Sequence, residues 1–328
     1  MEYAKLDQKK KLIDKHRSLA PALVGSLESW FRIELTYTSN AIEGNTLTRQ
    51  ETAVIVEKGL TVGGKSLVEH LEATNHAAAL DWVKKISAKP KHKITENDIL
   101  NIHNLILKGI DDANAEHYRS VSVRVSGSAV IFPNPRKVPD LMAELADWLL
   151  SDKKLHPVEL AAEAHYRLVT IHPFADGNGR TARLLMNLIL WQNGYPPALI
   201  RKRDRLPYIS ALEKAQLGGS MHDYETIIVK AVERSLNIYI QAINGDDRQI
   251  IKPDSDLLKI GQLAKLAKES VPTIRYWTQL GLIQPEDRTE SGYLLYNPDA
   301  ISRIEKIKEL KASRYNLEEI AQFLLKKK

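Results

Sequence analysis

Hydrophobic residues recur along most of the chain at the three- and four-residue spacing of an amphipathic α-helix. This spacing predicts helices over residues 67–86, 142–150, 158–171, 180–192 and 208–217. A further helix is predicted to start at Thr95, since a Thr followed three residues later by Asp98 is typical of an N-terminal capping box. The pattern therefore predicts a mainly α-helical protein.

One segment departs from the helical pattern. Residues 121–132 alternate between polar and β-branched positions, with Ser126-Gly127-Ser128 in the middle. Alternation on both sides of a turn that contains glycine predicts a short β-hairpin between helices.

A polar, turn-forming stretch interrupts the periodicity after residue 244, and a new hydrophobic pattern begins at Leu258. There, a short apolar helix, a polar turn and a second helix that opens at Val271-Pro272 predict a helix-turn-helix. We divide the chain accordingly into an N-terminal helical region (1–90), a helical core (91–244), a linker (245–256) and a C-terminal module (257–328).

Composition adds mainly exclusions. The chain of 328 residues has no cysteine, which excludes disulfides and thiolate metal sites. It has no apolar run of membrane-spanning length, and its basic N-terminus is not followed by the apolar stretch of a secretory signal. These features predict a cytoplasmic protein without a membrane partner. The net charge of +6 is modest and does not by itself indicate a polyanion as ligand.

The segment from His172 to Arg183 carries the clearest chemistry. A helix ends before it, and a long apolar helix opens at Arg180, directly after Gly177-Asn178-Gly179. The first N–H groups of a helix lack intrahelical acceptors, and the helix dipole adds positive potential there. Because the two glycines let a ligand approach closely, this turn is suited to bind phosphates.

The side chains around that turn fit the same ligand. Asp176 supplies the hard oxygen that Mg²⁺ prefers. Arg180 and Arg183 stand three residues apart, share a helix face and can fork onto phosphate oxygens. His172 can accept a proton from an attacking hydroxyl near neutral pH. Phe174 is predicted to fix the loop in the core.

This run resembles the signature of the Fic (filamentation induced by cAMP) family, His-Pro-Phe-x-Asp/Glu-Gly-Asn-Gly-Arg-x-x-Arg, at every defined position. The resemblance covers roughly residues 90 to 244 and implies an all-α Fic-fold bundle. It also implies ATP and Mg²⁺ as cofactors and transfer of AMP to a Ser, Thr or Tyr hydroxyl of a protein, the chain itself included. A branch of the family that transfers phosphate has Lys in place of Gly179, so AMP transfer is favoured.

The resemblance extends to two less specific features. The predicted hairpin, with Val125, Ser126, Gly127 and Ser128 at its tip, lies where the family has the flap that pairs with an extended target segment. Tyr208 and Gln216 lie where family members line the adenine pocket.

Upstream, Ser39 and Glu43-Gly44 match the family's inhibitory pattern, Ser/Thr-x-x-x-Glu-Gly/Asn. The resemblance implies that Glu43 pairs with Arg183 and removes the arginine that holds the γ-phosphate. The negative charge of Glu43 also repels a triphosphate. In some relatives the equivalent glutamate helps to remove AMP, so a deAMPylase remains an alternative.

The C-terminal module resembles a MerR-type winged helix, although Lys268-Glu269 replaces the Gly and apolar residue that are usual in the turn. The resemblance implies DNA contacts by Arg275, Arg288 and Tyr293. From residue 251 onward, however, 14 Lys+Arg against 11 Asp+Glu leave only +3. Recruitment of a protein substrate is therefore an alternative role. A DNA-binding regulator whose Fic domain senses nucleotide is the alternative function for the whole chain, and a homodimer is left open.

Overall fold

The computed structural model of the chain describes residues 2–15, 21–151, 154–245, 257–288, 293–297, 300–312, 315, 317 and 319–320. The chain divides into two compact units, Met1–Asp246 and Asp247–Lys328. Each unit has its own hydrophobic core. Residues 246–256 of the predicted linker lie outside the described residues.

The first unit is helical. Its helices are α1 (Glu2–Lys15), α2 (Pro21–Ile42), α3 (Arg49–Lys58), α4 (Leu67–Ser87), α5 (Glu96–Leu107), α6 (Val138–Leu150), α7 (Pro157–Ile171), α8 (Asn178–Gln192), α9 (Arg205–Gln216) and α10 (His222–Ile243), with 3₁₀ turns at Pro135–Lys137 and Lys202–Asp204. The N-terminal region and the predicted core share one set of buried side chains, which runs from Leu6 in α1 to Leu236 in α10. In the part of the chain that is described, no helix combines the length and hydropathy needed to cross a bilayer.

Local sequence signals explain where most helices begin. The predicted capping box of Thr95 and Asp98 is present at the start of α5, and α4 begins with an equivalent pair, Ser66 and Glu69. Helices α6 and α9 begin three or four residues earlier than predicted. Their first turns contain Pro139 and Pro207, and a proline is tolerated in the first turn because that position has no intrahelical N–H bond to lose.

Helix α8 lies in the middle of this unit and packs against α2, α4, α5 and α7. Its side chains from Arg180 to Leu190 are all buried. A helix that is enclosed on every side holds its polar residues in fixed directions, so α8 can present Arg180 and Arg183 with little freedom.

The hairpin predicted at residues 121–132 does not form strands: all residues of this segment are described, and none pairs in a sheet. The turn itself is present, with the Ser128 N–H donating to the Val125 carbonyl at 3.1 Å. Buried Arg119 replaces the strand ladder, because its guanidinium donates to the Val121 carbonyl at 3.0 Å and to the Pro133 carbonyl at 2.7 Å. A side chain, rather than backbone pairing, therefore joins the two arms, and we call residues 121–132 the flap.

The second unit is a small winged helix-turn-helix. Its elements are β1 (Leu258–Lys259), α11 (Ile260–Leu266), α12 (Val271–Gln279), β2 (Asp287–Arg288), β3 (Leu294–Tyr296) and α13 (Ala300–Ala312). The three antiparallel strands have the order β1-β3-β2. The first helix starts at Ile260 because Leu258 pairs with Tyr296 as strand instead. Lys268 occupies the predicted turn with a positive φ of 53°, which explains why a glycine is usual there.

Candidate active site

The loop from His172 to Gly177 joins α7 to α8 and is fixed by its own side chains. Phe174 is buried and stacks on His103, with ring centroids 3.6 Å apart. Asn178 clamps Phe174 twice: its Oδ1 accepts the Phe174 N–H and its Nδ2 donates to the Phe174 carbonyl, both at 2.9 Å. The Asn178 side chain thus holds the loop. The contact of Gly177-Asn178-Gly179 with phosphate stays a prediction, in which Asn178 takes part through its backbone N–H.

The first turn of α8 retains the predicted anion-binding geometry. Gly177 is the N-cap residue, with φ 77°, and its carbonyl accepts the Thr181 N–H at 3.0 Å. The N–H groups of residues 178–180 precede this first intrahelical bond and have no acceptor within the helix. Together with the helix dipole they favour an anion at this end.

His103 on α5 supports the loop from inside, a role that sequence reasoning missed. Its Nε2 donates to the Asp176 carbonyl at 3.0 Å, while its Nδ1 accepts the Glu116 N–H at 3.1 Å. Burial lowers the pKa of His103 to about 4. The ring is therefore neutral, with its single proton on Nε2.

His172 is oriented as a proton acceptor. It ends α7 in the left-handed conformation, with φ 49°, and its ring stacks on Phe132 of the flap at 3.9 Å. Its Nδ1 lies 3.2 Å from the Val169 carbonyl, which can only accept, so Nδ1 carries the proton and Nε2 is left bare. Burial lowers the pKa of His172 and outweighs the opposing hydrogen bond to Val169.

Arg119 connects His172 to the flap. Its Nε donates to the His172 carbonyl at 2.7 Å, and its backbone N–H donates to the Pro173 carbonyl at 2.9 Å. The same guanidinium binds both arms of the flap, as described above. One buried side chain thus sets the position of the flap relative to the histidine.

Asp176 and Arg180 occupy different environments. The Asp176 side chain is 72% exposed in front of α8, and its Oδ2 lies 3.3 Å from Arg180 Nη2. Arg180 is buried, and its Nη1 donates to Glu72 Oε1 of α4 at 2.7 Å. The structure therefore directs Arg180 partly towards α4, and its contact with phosphate oxygens stays a prediction.

Arg183 binds both residues of the predicted inhibitory pattern. Its Nη2 lies 2.7 Å from Glu43 Oε1, and its Nε donates to Ser39 Oγ at 2.9 Å. Burial by itself lowers the pKa of Arg183, but the interactions with Glu43 and Tyr208 together outweigh it and raise the pKa above the usual value. Gly179 leaves the room for this pair, because a Cβ there would collide with Glu43 Oε1.

Glu72 connects the turn that follows Glu43 to α8, and sequence reasoning missed this role. Its Oε2 accepts from Asn45, two residues after Glu43, at 2.8 Å, while its Oε1 binds Arg180. Nothing in a single sequence distinguishes Glu72 from the other acids of α4, since its partners lie far away along the chain.

The two residues predicted to line an adenine pocket are both hydrogen bonded to α7. Tyr208 is only 2% exposed, and its hydroxyl contacts His165 Nε2 at 2.7 Å beside Arg183. Gln216 is half-buried, and its Nε2 donates to the Val169 carbonyl at 3.2 Å. Tyr208 is thus enclosed among helices, and Gln216 is hydrogen bonded to the end of α7.

In the second unit, α12 buries Ile274 and Trp277 and exposes Arg275 on another face. Tyr293, directly before β3, is 66% exposed. The Arg288 side chain lies outside the described residues.

Comparison with known proteins matches both units to families. The family model of the Fic/DOC family matches residues 93–190, which contain the loop and most of α8. The family model described as MerR HTH family regulatory protein matches residues 258–327.

Two curated relatives carry the name protein adenylyltransferase Fic. The protein from Nematostella vectensis is 40% identical over 239 residues, which are 72% of this chain and 55% of that protein. The protein from Drosophila grimshawi is 36% identical over 273 residues, 81% of this chain and 55% of that protein. The chain thus spans about half the length of these relatives.

Solved structures share the fold at similar identity. Fic-1 from C. elegans (residues 134 to 508) is 32% identical with a TM-score of 0.68, over 75% of this chain and 73% of that one. A Fic domain containing signaling protein from Bacteroides thetaiotaomicron is also 32% identical with a TM-score of 0.68, and the match covers 75% of this chain and 98% of that one. Since the likeness covers 98% of the bacterial protein at 32% identity, and the Fic/DOC family model matches the loop and most of α8, this chain belongs to the Fic family.

Proposed function

We propose that the chain transfers AMP from ATP to a Ser, Thr or Tyr hydroxyl of a protein, and that Glu43 restrains this transfer. The observation that carries the proposal is the arrangement at the start of α8. A bare His172 Nε2 and an anion-binding helix N-terminus stand beside Arg183, whose guanidinium is occupied by the Glu43 carboxylate at 2.7 Å. The curated relatives support it, since they are named protein adenylyltransferases.

In the proposed reaction, His172 Nε2 takes the proton of the attacking hydroxyl. A bond forms between that oxygen and the α-phosphorus of ATP, the bond from the α-phosphorus to the bridging oxygen breaks, and pyrophosphate leaves. The N–H groups at the start of α8 hold the phosphates, and Arg183 stabilises the negative charge of the terminal phosphate.

Asp176 is the candidate residue for Mg²⁺. Its carboxylate is 72% exposed at the helix end where the phosphates would bind. The described residues contain no cluster of three or more His, Asp or Glu that could enclose a metal by themselves. This donor set fits Mg²⁺, which is commonly held by one or two carboxylates together with substrate phosphates, and which would neutralise the charge of the leaving group.

The flap is the proposed docking site for the target. Val125, Ser126 and Gly127 at its tip are exposed, and no strand pairs with this segment. Because its backbone is not part of a strand ladder, the segment can accept an extended peptide edge to edge, which would aim a hydroxyl at His172.

The restraint follows from the electrostatics of Arg183. Glu43 neutralises this buried arginine and places negative charge where a γ-phosphate would lie. Removal of Glu43 leaves a buried cation without its counter-charge, and a phosphate can then take its place.

The test is transfer of label from α-labelled ATP in the presence of Mg²⁺. Wild type, Glu43→Gly and Glu43→Gly/His172→Ala are each incubated alone and with cell lysate. We expect label on protein with the single variant only. Label with wild type and both variants would exclude His172 as base. Label with none of the three proteins would overturn the proposed transferase activity. Loss of AMP from a labelled protein with wild type but not with Glu43→Gly would favour the alternative, a deAMPylase.

DNA binding is a second candidate function, which the MerR-type match and the exposed Arg275 of α12 favour. The full chain should select an operator from a pool of random duplexes, and Arg275→Ala should weaken that binding. Should no duplex be enriched over competitor DNA, recruitment of a protein substrate becomes the better account.

A further inference from the structure

Glu43 lies directly after α2, on a turn that is attached to helix α4 on both sides. Asn40, three residues before Glu43, donates from its Nδ2 to the Glu72 carbonyl at 3.1 Å. Asn45, two residues after Glu43, donates from its Nδ2 to Glu72 Oε2 at 2.8 Å. One residue of α4 therefore binds the chain before and after Glu43.

The other carboxylate oxygen of Glu72 binds helix α8. Its Oε1 accepts from Arg180 Nη1 at 2.7 Å, and the Glu72 side chain is only 17% exposed. Helix α4 packs against α2, α5 and α8 and contributes buried side chains to the core of the first unit. Glu72 thus fastens the turn to a rigid part of the molecule.

Only a carboxylate can make both of these side-chain bonds. Asn45 has a fixed orientation, since its Oδ1 accepts the Leu47 N–H at 2.9 Å and its Nδ2 also donates to the Glu69 carbonyl at 3.2 Å. It therefore presents a donor to Glu72, and the guanidinium of Arg180 has donors only. A glutamine at position 72 has one side-chain acceptor and must turn its NH₂ group towards one of these two donors.

Resting on the function proposed above, we propose that Glu72 is a positioning residue that keeps Glu43 on Arg183 and so sets how strongly the chain restrains its own transfer of AMP. Withdrawal of the turn breaks the bond between Glu72 and Asn45. That bond therefore adds to the free energy that favours the docked turn over the withdrawn one. Glu43 supplies the charge that opposes the γ-phosphate, and Glu72 determines how much of the time that charge is in place.

The test measures initial rates of label transfer from α-labelled ATP for two variants, each with Glu43 present and in the Glu43→Gly background. Glu72→Gln retains an oxygen for Arg180 and loses the bond to Asn45, and Asn45→Ala loses the same bond from the other side. With Glu43 present, we expect each to raise the rate about tenfold, as for loss of one hydrogen bond to a charged group. In the Glu43→Gly background no restraint is left to weaken, so we expect no increase.

The matched control is Asp81→Asn. Asp81 is another carboxylate of α4 that binds α2, but its bond goes to Arg32, at 2.8 Å, and not to the turn. Asp81→Asn should leave the rate unchanged in both backgrounds.

Hydrogen exchange tests the same link without relying on turnover. The Asn45 N–H donates to the Asn40 carbonyl at 3.1 Å and closes the turn. We expect this amide to exchange about tenfold faster in Glu72→Gln than in wild type, since the same bond is lost. Its exchange should be unchanged in Asp81→Asn.

An unchanged or lower rate of transfer in Glu72→Gln with Glu43 present would overturn the inference. An equal rise in both backgrounds would also overturn it, because Glu72 would then act without Glu43. Unchanged exchange of the Asn45 amide in Glu72→Gln is the third contradicting result. Failure of the proposed function is seen separately, as absence of label transfer by Glu43→Gly, and hydrogen exchange then decides the inference.

Discussion

Glu43 and Gly179 depend on each other at the residue scale. The carboxylate of Glu43 reaches Arg183 only because position 179 has no side chain. Gly179 is therefore required twice, for close approach of a phosphate to the helix start and for close approach of the carboxylate that excludes it. Glu43 and a terminal phosphate can be regarded as two anions that compete for one guanidinium.

The pH dependence of transfer should report His172. Protonation of Nε2 removes the base, and burial holds the pKa of His172 below its ordinary value. We therefore expect the rate of Glu43→Gly to fall to half its maximum only below about pH 6.5, the usual histidine value. Initial rates above and below this pH test the prediction, and a half-maximal rate at or above about pH 6.5 would contradict it.

The stability of the fold must be followed in the same experiment, because protonation of His103 lowers it as the pH falls, in the same direction as protonation of His172 lowers the rate. The His103 pKa of about 4 in the folded chain lies below the unfolded value of about 6.5. The unfolded chain therefore binds the proton first as the pH falls, and the free energy of unfolding decreases between about pH 6.5 and pH 4. Circular dichroism at each pH separates loss of the base from loss of the fold.

The sequence was most informative where a residue acts through its own neighbours. His172, Asp176 and the glycines lie within one short segment, so their roles can be inferred from spacing. Glu72 and His103 act through partners that are distant along the chain, and a single sequence holds no trace of those contacts. The adenine role of Tyr208 stays a prediction, while its burial and its contact with His165 depend on packing that a single sequence does not show.

At the scale of elements, the helices were predictable because capping residues and hydrophobic spacing are local signals. The flap was not, since Arg119 takes over the hydrogen bonds that a strand ladder would make. Alternation and a glycine turn predicted the bend correctly, but pairing also depends on whether a side-chain donor such as Arg119 binds the carbonyls of the two arms.

Arg119→Lys tests this account of the flap. A lysine keeps the charge, but one compact ammonium cannot reach three carbonyls at once. We expect loss of about 3 kcal/mol in the free energy of unfolding, faster hydrogen exchange in residues 121–132 and slower label transfer in the Glu43→Gly background. The matched control is Arg167→Lys, which alters an exposed arginine paired with Glu163 of the same helix and should change stability by less than about 1 kcal/mol. Unchanged exchange in the flap of Arg119→Lys would contradict the account.

At the scale of the whole molecule, the two units have separate cores. Trp277 and Tyr296 are buried in the second core, while Phe174 belongs to the first. Separate cores predict that damage to one unit leaves the chemistry of the other intact.

Trp277→Ala should therefore destabilise the second unit by about 3–5 kcal/mol, as for other buried aromatic residues. Label transfer by Glu43→Gly should persist when Trp277→Ala is added. In a urea titration, the urea concentration at which transfer is lost should be the same with and without Trp277→Ala. Parallel loss of transfer and of the second unit's structure would show that the two are energetically coupled.

The central claim is that the Glu43 charge restrains a competent site, and the initial rate of label transfer by wild type, Glu43→Gln and Glu43→Gly tests it most directly. Gln keeps the shape of Glu43 and removes its charge. We predict that both variants transfer label faster than wild type. The rate of Glu43→Gly should exceed that of wild type by about a hundredfold, the order of magnitude for one preorganised charge contact in an active site. Equal rates for wild type and both variants would contradict the account.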